Sequence, residues 1–248
     1  MLLVGHGTRD ALGTRQFFEL GQRLADQLSP APVASCLLEF QEPTIPQAWD
    51  QLAALGVQHI HVAPLLLFAA GHAKRDIPDL VAQCHTRTPN IGVDQSGPLS
   101  RHRAMIELVQ QRIGEVDRTV DRSKSALVMV GRGSFDPCAQ ADMRVLTEVV
   151  AWRMGFAHTT TAFYAMAEPR LPEMLDRVAA MDGIETIIVQ PHLLFAGRLF
   201  DAISQQIAEA SARHRDRRFL TTAYLGPECQ IATAIAGRLK MTPQPNVP

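Results

Sequence analysis

The sequence predicts an α/β protein of two similar lobes, each a parallel-type sheet flanked by helices, built by internal duplication. The block Leu3–Asp10, LVGHGTRD, matches the later block Met129–Asp136, MVGRGSFD. Short apolar runs alternate with stretches of helical periodicity in both copies, which is typical of a parallel sheet covered on both faces. A repeated unit of this kind predicts two lobes of one fold.

Further matched blocks follow in the same order along the chain: Glu42–Pro46 with Glu168–Pro172, Ala63–Ala69 with Gln190–Ala196, and Gly71–His72 with Gly197–Arg198. Their offset changes by one residue at the second of these blocks and is restored at the third if Ala70 is an insertion. Gly97–Pro98 is also matched with Gly226–Pro227. Several ordered matches exclude coincidence. We therefore expect lobes at residues 1–115 and 125–240, joined by the polar segment Gly114–Lys124.

The first repeat opens with a strand, a helix and a second strand. Met1–Val4 is apolar and runs into a turn bounded by glycines. Apolar residues at helical spacing predict a helix from Phe17 to Leu28, and Ala34–Phe40 has the pattern of a strand.

A helix follows at Ile45–Leu55, where Pro46 is tolerated in the first turn and Gly56 stops the helix. His59–Ala63 is the next predicted strand. The remaining predicted elements are a loop at Leu65–Gly71, a helix at Ile77–Cys84, a strand at Ile91–Gln95 and a helix at Arg101–Ile113.

Composition indicates an ordinary globular protein, with 46% hydrophobic and 20% charged residues and a net charge of -1. That balance gives no electrostatic attraction to nucleic acid or to an anionic membrane. The longest apolar run, Val62–Gly71, is too short to span a bilayer, and the start lacks the pattern of a leader. The four cysteines form no CxxC pair. We therefore expect a soluble cytoplasmic protein without nucleic-acid or membrane partners.

Two histidines of the first repeat follow predicted strands. His6 comes after the first strand and His72 after the apolar run that ends at Phe68, while the matched residues of the second repeat are Arg132 and Arg198. Because the carboxyl ends of parallel strands lie at one edge, His6 and His72 are expected to converge. Two imidazoles suit a loosely held transition metal such as iron, cobalt or nickel.

The other histidines have simpler explanations. His59 and His61 lie two residues apart on one strand, share a face and are predicted to be structural. Those in polar or helical contexts are predicted to lie at the surface: His85, His102, His158 and His214.

The turn Gly5–Asp10 leaves a second chemistry open. Glycines that lead into a helix can bind phosphate through backbone N–H groups, and His6 near Arg9 suits a phosphohistidine. The GxGxxG pattern is incomplete, however, and phosphoryl transfer leaves His72 without a role. A nucleotide-binding or phosphotransfer protein is thus the weaker alternative.

The His-Gly-Thr-Arg-Asp turn, together with the PLLLF run that leads to Gly-His, resembles the class II tetrapyrrole chelatases. Within that group the chain is similar to the long, two-lobed sirohydrochlorin chelatases, from Leu2 to about Gly237. The resemblance implies insertion of a divalent metal, Co²⁺ or Fe²⁺, into sirohydrochlorin on the branch to siroheme or cobalamin. Ni²⁺ is a further candidate because it also accepts two imidazoles and a carboxylate. No organic cofactor is implied.

The same resemblance implies that His6 and His72 bind the metal and act in catalysis, with Glu39 as a third ligand or proton acceptor. Glu39 aligns with Ala165, so the second repeat has lost all three groups together. Only the first lobe is therefore expected to perform chemistry.

The carboxylates of such a substrate require cationic partners. The predicted substrate-binding residues are Arg9, Lys74, Arg75, Arg132 and Arg198. Arg132 and Arg198 have the alternative of being solvent-facing remnants, and His192 either lines the site or packs in the second lobe. Phe68 and Phe195 are the predicted contacts to the macrocycle, and their apolar neighbours are predicted to be core.

A carrier of metal or tetrapyrrole without turnover is the main alternative function, because the same histidines would serve it. A duplicated chain can provide both halves of a site by itself, so a monomer is expected.

Overall fold

The computed structural model describes residues 1–68, 75–116, 118–152 and 154–239. The first repeat forms four strands and four helices in strict alternation. They are β1 (Leu2–Gly5), α1 (Ala11–Leu28), β2 (Ala34–Leu37), α2 (Ile45–Ala54), β3 (His59–Pro64), α3 (Ile77–Arg87), β4 (Gly92–Gln95) and α4 (Arg103–Val116).

The second repeat has the same order of elements, after a short 3₁₀ turn at Arg122–Lys124. They are β5 (Ser125–Gly131), α5 (Pro137–Trp152), β6 (His158–Phe163), α6 (Leu171–Ala179), β7 (Thr186–Pro191), α7 (Arg198–Arg213), β8 (Arg218–Thr221) and α8 (Cys229–Leu239). The two sheets are fully parallel, in the orders β2-β1-β3-β4 and β6-β5-β7-β8. The predicted fold class is confirmed.

Two element boundaries differ from the sequence prediction for identifiable reasons. Strand β2 ends at Leu37 because the chain turns at Phe40, whose φ of 70° lies in the left-handed region. Helix α1 begins at Ala11, several residues earlier than predicted, because Asp10 caps it: the Asp10 carboxylate accepts a hydrogen bond from Gly13 N at 2.7 Å.

One face of each sheet is covered by two helices that build the main core. In the first repeat these are α2 and α3, and in the second they are α6 and α7. Trp49 of α2 is fully buried, and its Nε1 donates to Thr88 Oγ1 at 2.9 Å. The central strands are apolar on both faces because both faces are covered.

The last helix of each repeat packs in the compact unit formed by the other repeat. One unit contains Met1–Met105 and the segment that begins at Pro227, and the other contains Ile106–Gly226. Helix α8 therefore packs with α1, where Arg23 Nη1 lies 3.4 Å from Cys229 Sγ. In the other unit, Arg112 of α4 donates to the carbonyl oxygens of Tyr224 and Leu225, at 3.1 and 2.9 Å. The lobes expected at 1–115 and 125–240 follow the repeat in the sequence and stay a prediction.

The hydrogen-bond register corrects one of the proposed repeat matches. Leu99 N and Ser100 N donate to the carbonyls of Leu66 and Leu67, both at 3.0 Å. The same ladder in the second repeat starts from Leu225 N and Gly226 N, which donate to the carbonyls of Leu193 and Leu194 at 2.8 and 2.7 Å. Leu99–Ser100 therefore correspond to Leu225–Gly226, and the match of Gly97–Pro98 with Gly226–Pro227 is wrong.

Every helix in the described part of the chain is too short or too polar to cross a bilayer.

Candidate active site

The order of the strands defines where a site is expected in the first repeat. The chain moves from β1 outward to β2 and then back past β1 to β3, so the order reverses between β1 and β3. Ligands of open parallel sheets bind at the carboxyl ends of the strands at such a reversal. His6 follows β1 directly, and the loop that starts at Leu65 follows β3.

His6 and Glu39 are joined through their backbones beyond the end of the sheet. Leu38 N donates to Gly5 O at 2.9 Å, and Glu39 N donates to His6 O at 3.1 Å. These bonds continue the pairing of β1 with β2 by two residues. His6 is half-buried, and Glu39 is exposed. The structure therefore brings together two of the three residues predicted to handle the metal.

Gly7 makes this close approach possible. Its φ is 94°, and a Cβ added to it would overlap the carbonyl oxygen of Glu39. Any L-amino acid at this position would separate the two segments or strain the turn.

The turn after Gly7 is fixed by its own side chains. Asp10 N donates to Thr8 Oγ1 at 3.1 Å, and Thr14 Oγ1 donates to Asp10 O at 2.9 Å. Together with the Asp10 cap on α1, these bonds hold the segment that follows His6 in one conformation.

Arg9 lies over an aromatic ring that the sequence analysis did not single out. The guanidinium carbon of Arg9 is 5.0 Å from the centroid of the Phe40 ring. Phe40 is 54% exposed and follows Glu39 in the left-handed turn. The available signal was a large apolar residue directly after the predicted ligand Glu39, at the end of the predicted strand Ala34–Phe40.

The structure describes two of the other predicted site residues of the first repeat, Phe68 and Arg75. His72 and Lys74 lie outside the described residues. Arg75 is exposed just before α3, and Phe68 is half-buried. Within the described residues, no group of three or more His, Cys, Asp or Glu side chains is arranged to hold a metal ion.

The second repeat preserves the backbone of this turn with different side chains. Tyr164 N donates to Gly131 O and Ala165 N donates to Arg132 O, both at 2.9 Å. Gly133 has a φ of 91°, and a Cβ added to it would overlap the carbonyl oxygen of Ala165. The scaffold is therefore present twice, whereas the imidazole and carboxylate of His6 and Glu39 are present once.

Arg132 and Arg198 are both exposed, at the end of β5 and at the start of α7. Exposure is compatible with both alternatives predicted for them, carboxylate binding and solvent-facing remnants. Phe195 is half-buried.

His192 packs in the interior. It is 2% exposed, and its backbone N–H donates to Val130 O at 2.8 Å, as Leu65 N donates to Val4 O at 2.8 Å in the first repeat. Burial lowers the pKa of His192 to about 4, so the imidazole is neutral at pH 7. The structure therefore shows His192 packed within the second repeat, which is the second of the two alternatives predicted for it.

His59 and His61 lie on β3 and contact Asp94 on the neighbouring strand. His61 is buried, which lowers its pKa, although the nearby Asp94 carboxylate opposes that shift. His59 is the first residue of β3, at the end of the strand opposite to the candidate site.

Comparisons with known proteins give the family. A family model described as CbiX matches the chain twice, over residues 1–116 and 126–242. The chain belongs to the CbiX family. A sirohydrochlorin ferrochelatase of Priestia megaterium is 30% identical over 241 residues, which cover 97% of this chain and 89% of that protein. A sirohydrochlorin cobaltochelatase of the same organism is 26% identical and covers 96% of this chain and 78% of its own length.

The fold also agrees with a solved structure. SirB from Bacillus subtilis with Fe³⁺ superimposes on this CbiX chain with a TM-score of 0.88 at 26% identity, covering 96% of this chain and 93% of that one. The predicted resemblance to the two-lobed chelatases is confirmed.

Alanine at Gly7 and alanine at Gly133 form a matched test of the asymmetry between the repeats. Both changes force an L-residue into a left-handed turn against a carbonyl oxygen, so each should destabilise the protein by about 1–3 kcal/mol in denaturant unfolding. Co²⁺ affinity, measured by calorimetry, should fall only for Gly7→Ala, because only that turn carries His6 and Glu39. Equal losses of Co²⁺ affinity in both variants would contradict the prediction that the metal binds at the turn of the first repeat alone.

His192 should make this CbiX protein sensitive to acid. Its folded pKa of about 4 lies below the unfolded value of about 6.5, so on acidification the unfolded chain binds a proton first. Stability that is present above pH 6.5 is therefore lost as the pH falls toward 4, by about 3 kcal/mol. His192→Leu, which introduces the residue found at the matched position Leu65, should remove this component of the pH dependence of unfolding. An unchanged slope between pH 6.5 and 4 would show that His192 is not buried as a neutral group.

Proposed function

We propose that this CbiX protein is a lyase that inserts Co²⁺ or Fe²⁺ into sirohydrochlorin in siroheme or cobalamin synthesis. The observation that carries the proposal is the turn that joins His6 to Glu39 at the reversal of strand order, with Glu39 N bonded to His6 O at 3.1 Å. The ferrochelatase and cobaltochelatase relatives, each aligned over nearly the whole chain, support the choice of substrate.

Metal insertion exchanges two pyrrole N–H protons for one M²⁺ ion. The ion must leave its water and protein ligands stepwise, and the two protons need acceptors. In the proposed mechanism His6 and His72 would hold the ion, since neutral imidazole binds borderline cations. An imidazole that has released the ion to the macrocycle would then be free to accept one of the two protons. Glu39 assists as a ligand or as a proton acceptor. The oxidation state of the metal does not change, and no organic cofactor is required.

The Arg9–Phe40 pair suits the carboxylates of the substrate. The Phe40 ring lies beside the Arg9 guanidinium without using its N–H groups as hydrogen-bond donors, so in the proposal these N–H groups donate to a carboxylate. In the proposal Lys74 and Arg75 add positive charge in the first repeat, and Arg132 and Arg198 bind carboxylates in the second.

Iron and cobalt are the metals of the named relatives, and nickel has no support from them. The same donor set would also serve a carrier that binds metal or tetrapyrrole without turnover. A monomeric state, a cytoplasmic location and the lack of nucleic-acid and membrane partners stay predictions.

An anaerobic assay with sirohydrochlorin and Co²⁺ or Fe²⁺ tests the function, with insertion followed by the absorbance of the macrocycle. The wild type should convert substrate over many turnovers, and His6→Ala should lower the rate by at least about a hundredfold because a ligand and a base are lost together. His59→Ala is the matched control, because His59 lies at the opposite end of β3. Binding of tetrapyrrole without insertion would favour the carrier, and full activity of His6→Ala would refute the site.

A further inference from the structure

The matched turn of the second repeat ends in an exposed aromatic residue. Phe135 is 81% exposed, and it occupies the position that Arg9 holds in the first repeat. Burying a phenylalanine is worth about 1.5–3 kcal/mol relative to leaving it exposed, so a ligand that covered this ring would gain binding free energy. Among the described residues, its ring stacks on no cation and on no aromatic side chain.

The backbone on both sides of Phe135 is held by hydrogen bonds. Asp136 N donates to Ser134 Oγ at 3.0 Å, and Gln140 Nε2 donates to Ser134 O at 2.9 Å. Cys138 N donates to Asp136 Oδ1 at 2.9 Å at the start of α5. The exposed ring is thus carried by a fixed turn, which lowers the entropy lost when it binds something.

The location of Phe135 also distinguishes it from Trp152, the other exposed aromatic residue of the second repeat. It lies between the end of β5 and the start of α5, at the carboxyl edge of its sheet, and Arg132 is exposed in the same turn. Trp152 is equally exposed, at 82%, but it ends α5 and so lies toward the opposite edge.

We infer that Phe135 is a substrate-contact residue whose ring packs against the planar tetrapyrrole, while Arg132 in the same turn binds one of its carboxylates. A flat apolar surface beside a guanidinium matches a planar ring system that carries carboxylates at its rim. The inference rests on the proposed function for the identity of the ligand. It assigns the second repeat a role in holding the macrocycle that is separate from the handling of the metal.

The test is a titration of the metal-free protein with sirohydrochlorin under anaerobic conditions, followed by absorbance. Phe135→Ala should raise the Kd for sirohydrochlorin about tenfold. Phe135→Tyr should bind sirohydrochlorin as tightly as the wild type, because the aromatic ring is kept. Trp152→Ala, which removes an equally exposed ring from the other end of α5, should leave Kd unchanged. Co²⁺ affinity should be the same in all of these proteins, since none of the changes touches the first repeat.

In the insertion assay the same Phe135→Ala change should raise KM for sirohydrochlorin and leave kcat within about twofold of the wild type. An unchanged Kd and KM in Phe135→Ala would overturn the inference while leaving the proposed function intact. Failure of the wild-type protein to insert metal would count against the proposed function alone, because the titration of tetrapyrrole binding does not require turnover.

Discussion

The candidate site depends on one constraint, the continuation of the β1–β2 pairing beyond the sheet to His6 and Glu39. Two backbone hydrogen bonds, from Leu38 N to Gly5 O and from Glu39 N to His6 O, keep the two chain segments together where the strands have ended. They are possible because Gly7 has no side chain and takes a left-handed conformation. A residue with an imidazole and a residue with a carboxylate are thereby held side by side through their backbones.

The second repeat shows that this backbone and its chemistry are separable. Arg132 and Ala165 are held by two equivalent backbone hydrogen bonds, and Gly133 has a left-handed φ of 91°, close to the 94° of Gly7. What differs is the set of side chains: a guanidinium and a methyl group replace the imidazole and the carboxylate. A duplicated scaffold can in this way keep its stability while one copy acts on the metal and the other is free to specialise in the macrocycle.

The repeat and the alternating periodicity were sufficient to predict the fold class, and the position of His6 after a strand was sufficient to place it at the sheet edge. Sequence similarity could not predict the exchange of α4 and α8, because a repeat identifies what was copied and not where the copy packs. It also misaligned Gly97–Pro98, since backbone register and not residue identity fixes the match. The burial of His192 depends on tertiary packing around β7, and the exposure of Phe135 depends on the geometry of its turn. Neither property can be predicted from the order of residues along the chain, because both depend on the folded structure.

The claim that metal chemistry belongs to the first repeat alone is tested most directly by anomalous X-ray diffraction from crystals grown anaerobically with Co²⁺. We expect one cobalt peak per chain, next to the imidazole of His6 at the end of β1, and no peak beside Arg132 at the end of β5. Cobalt peaks of similar height at both turns, or a single peak in the second repeat, would contradict it.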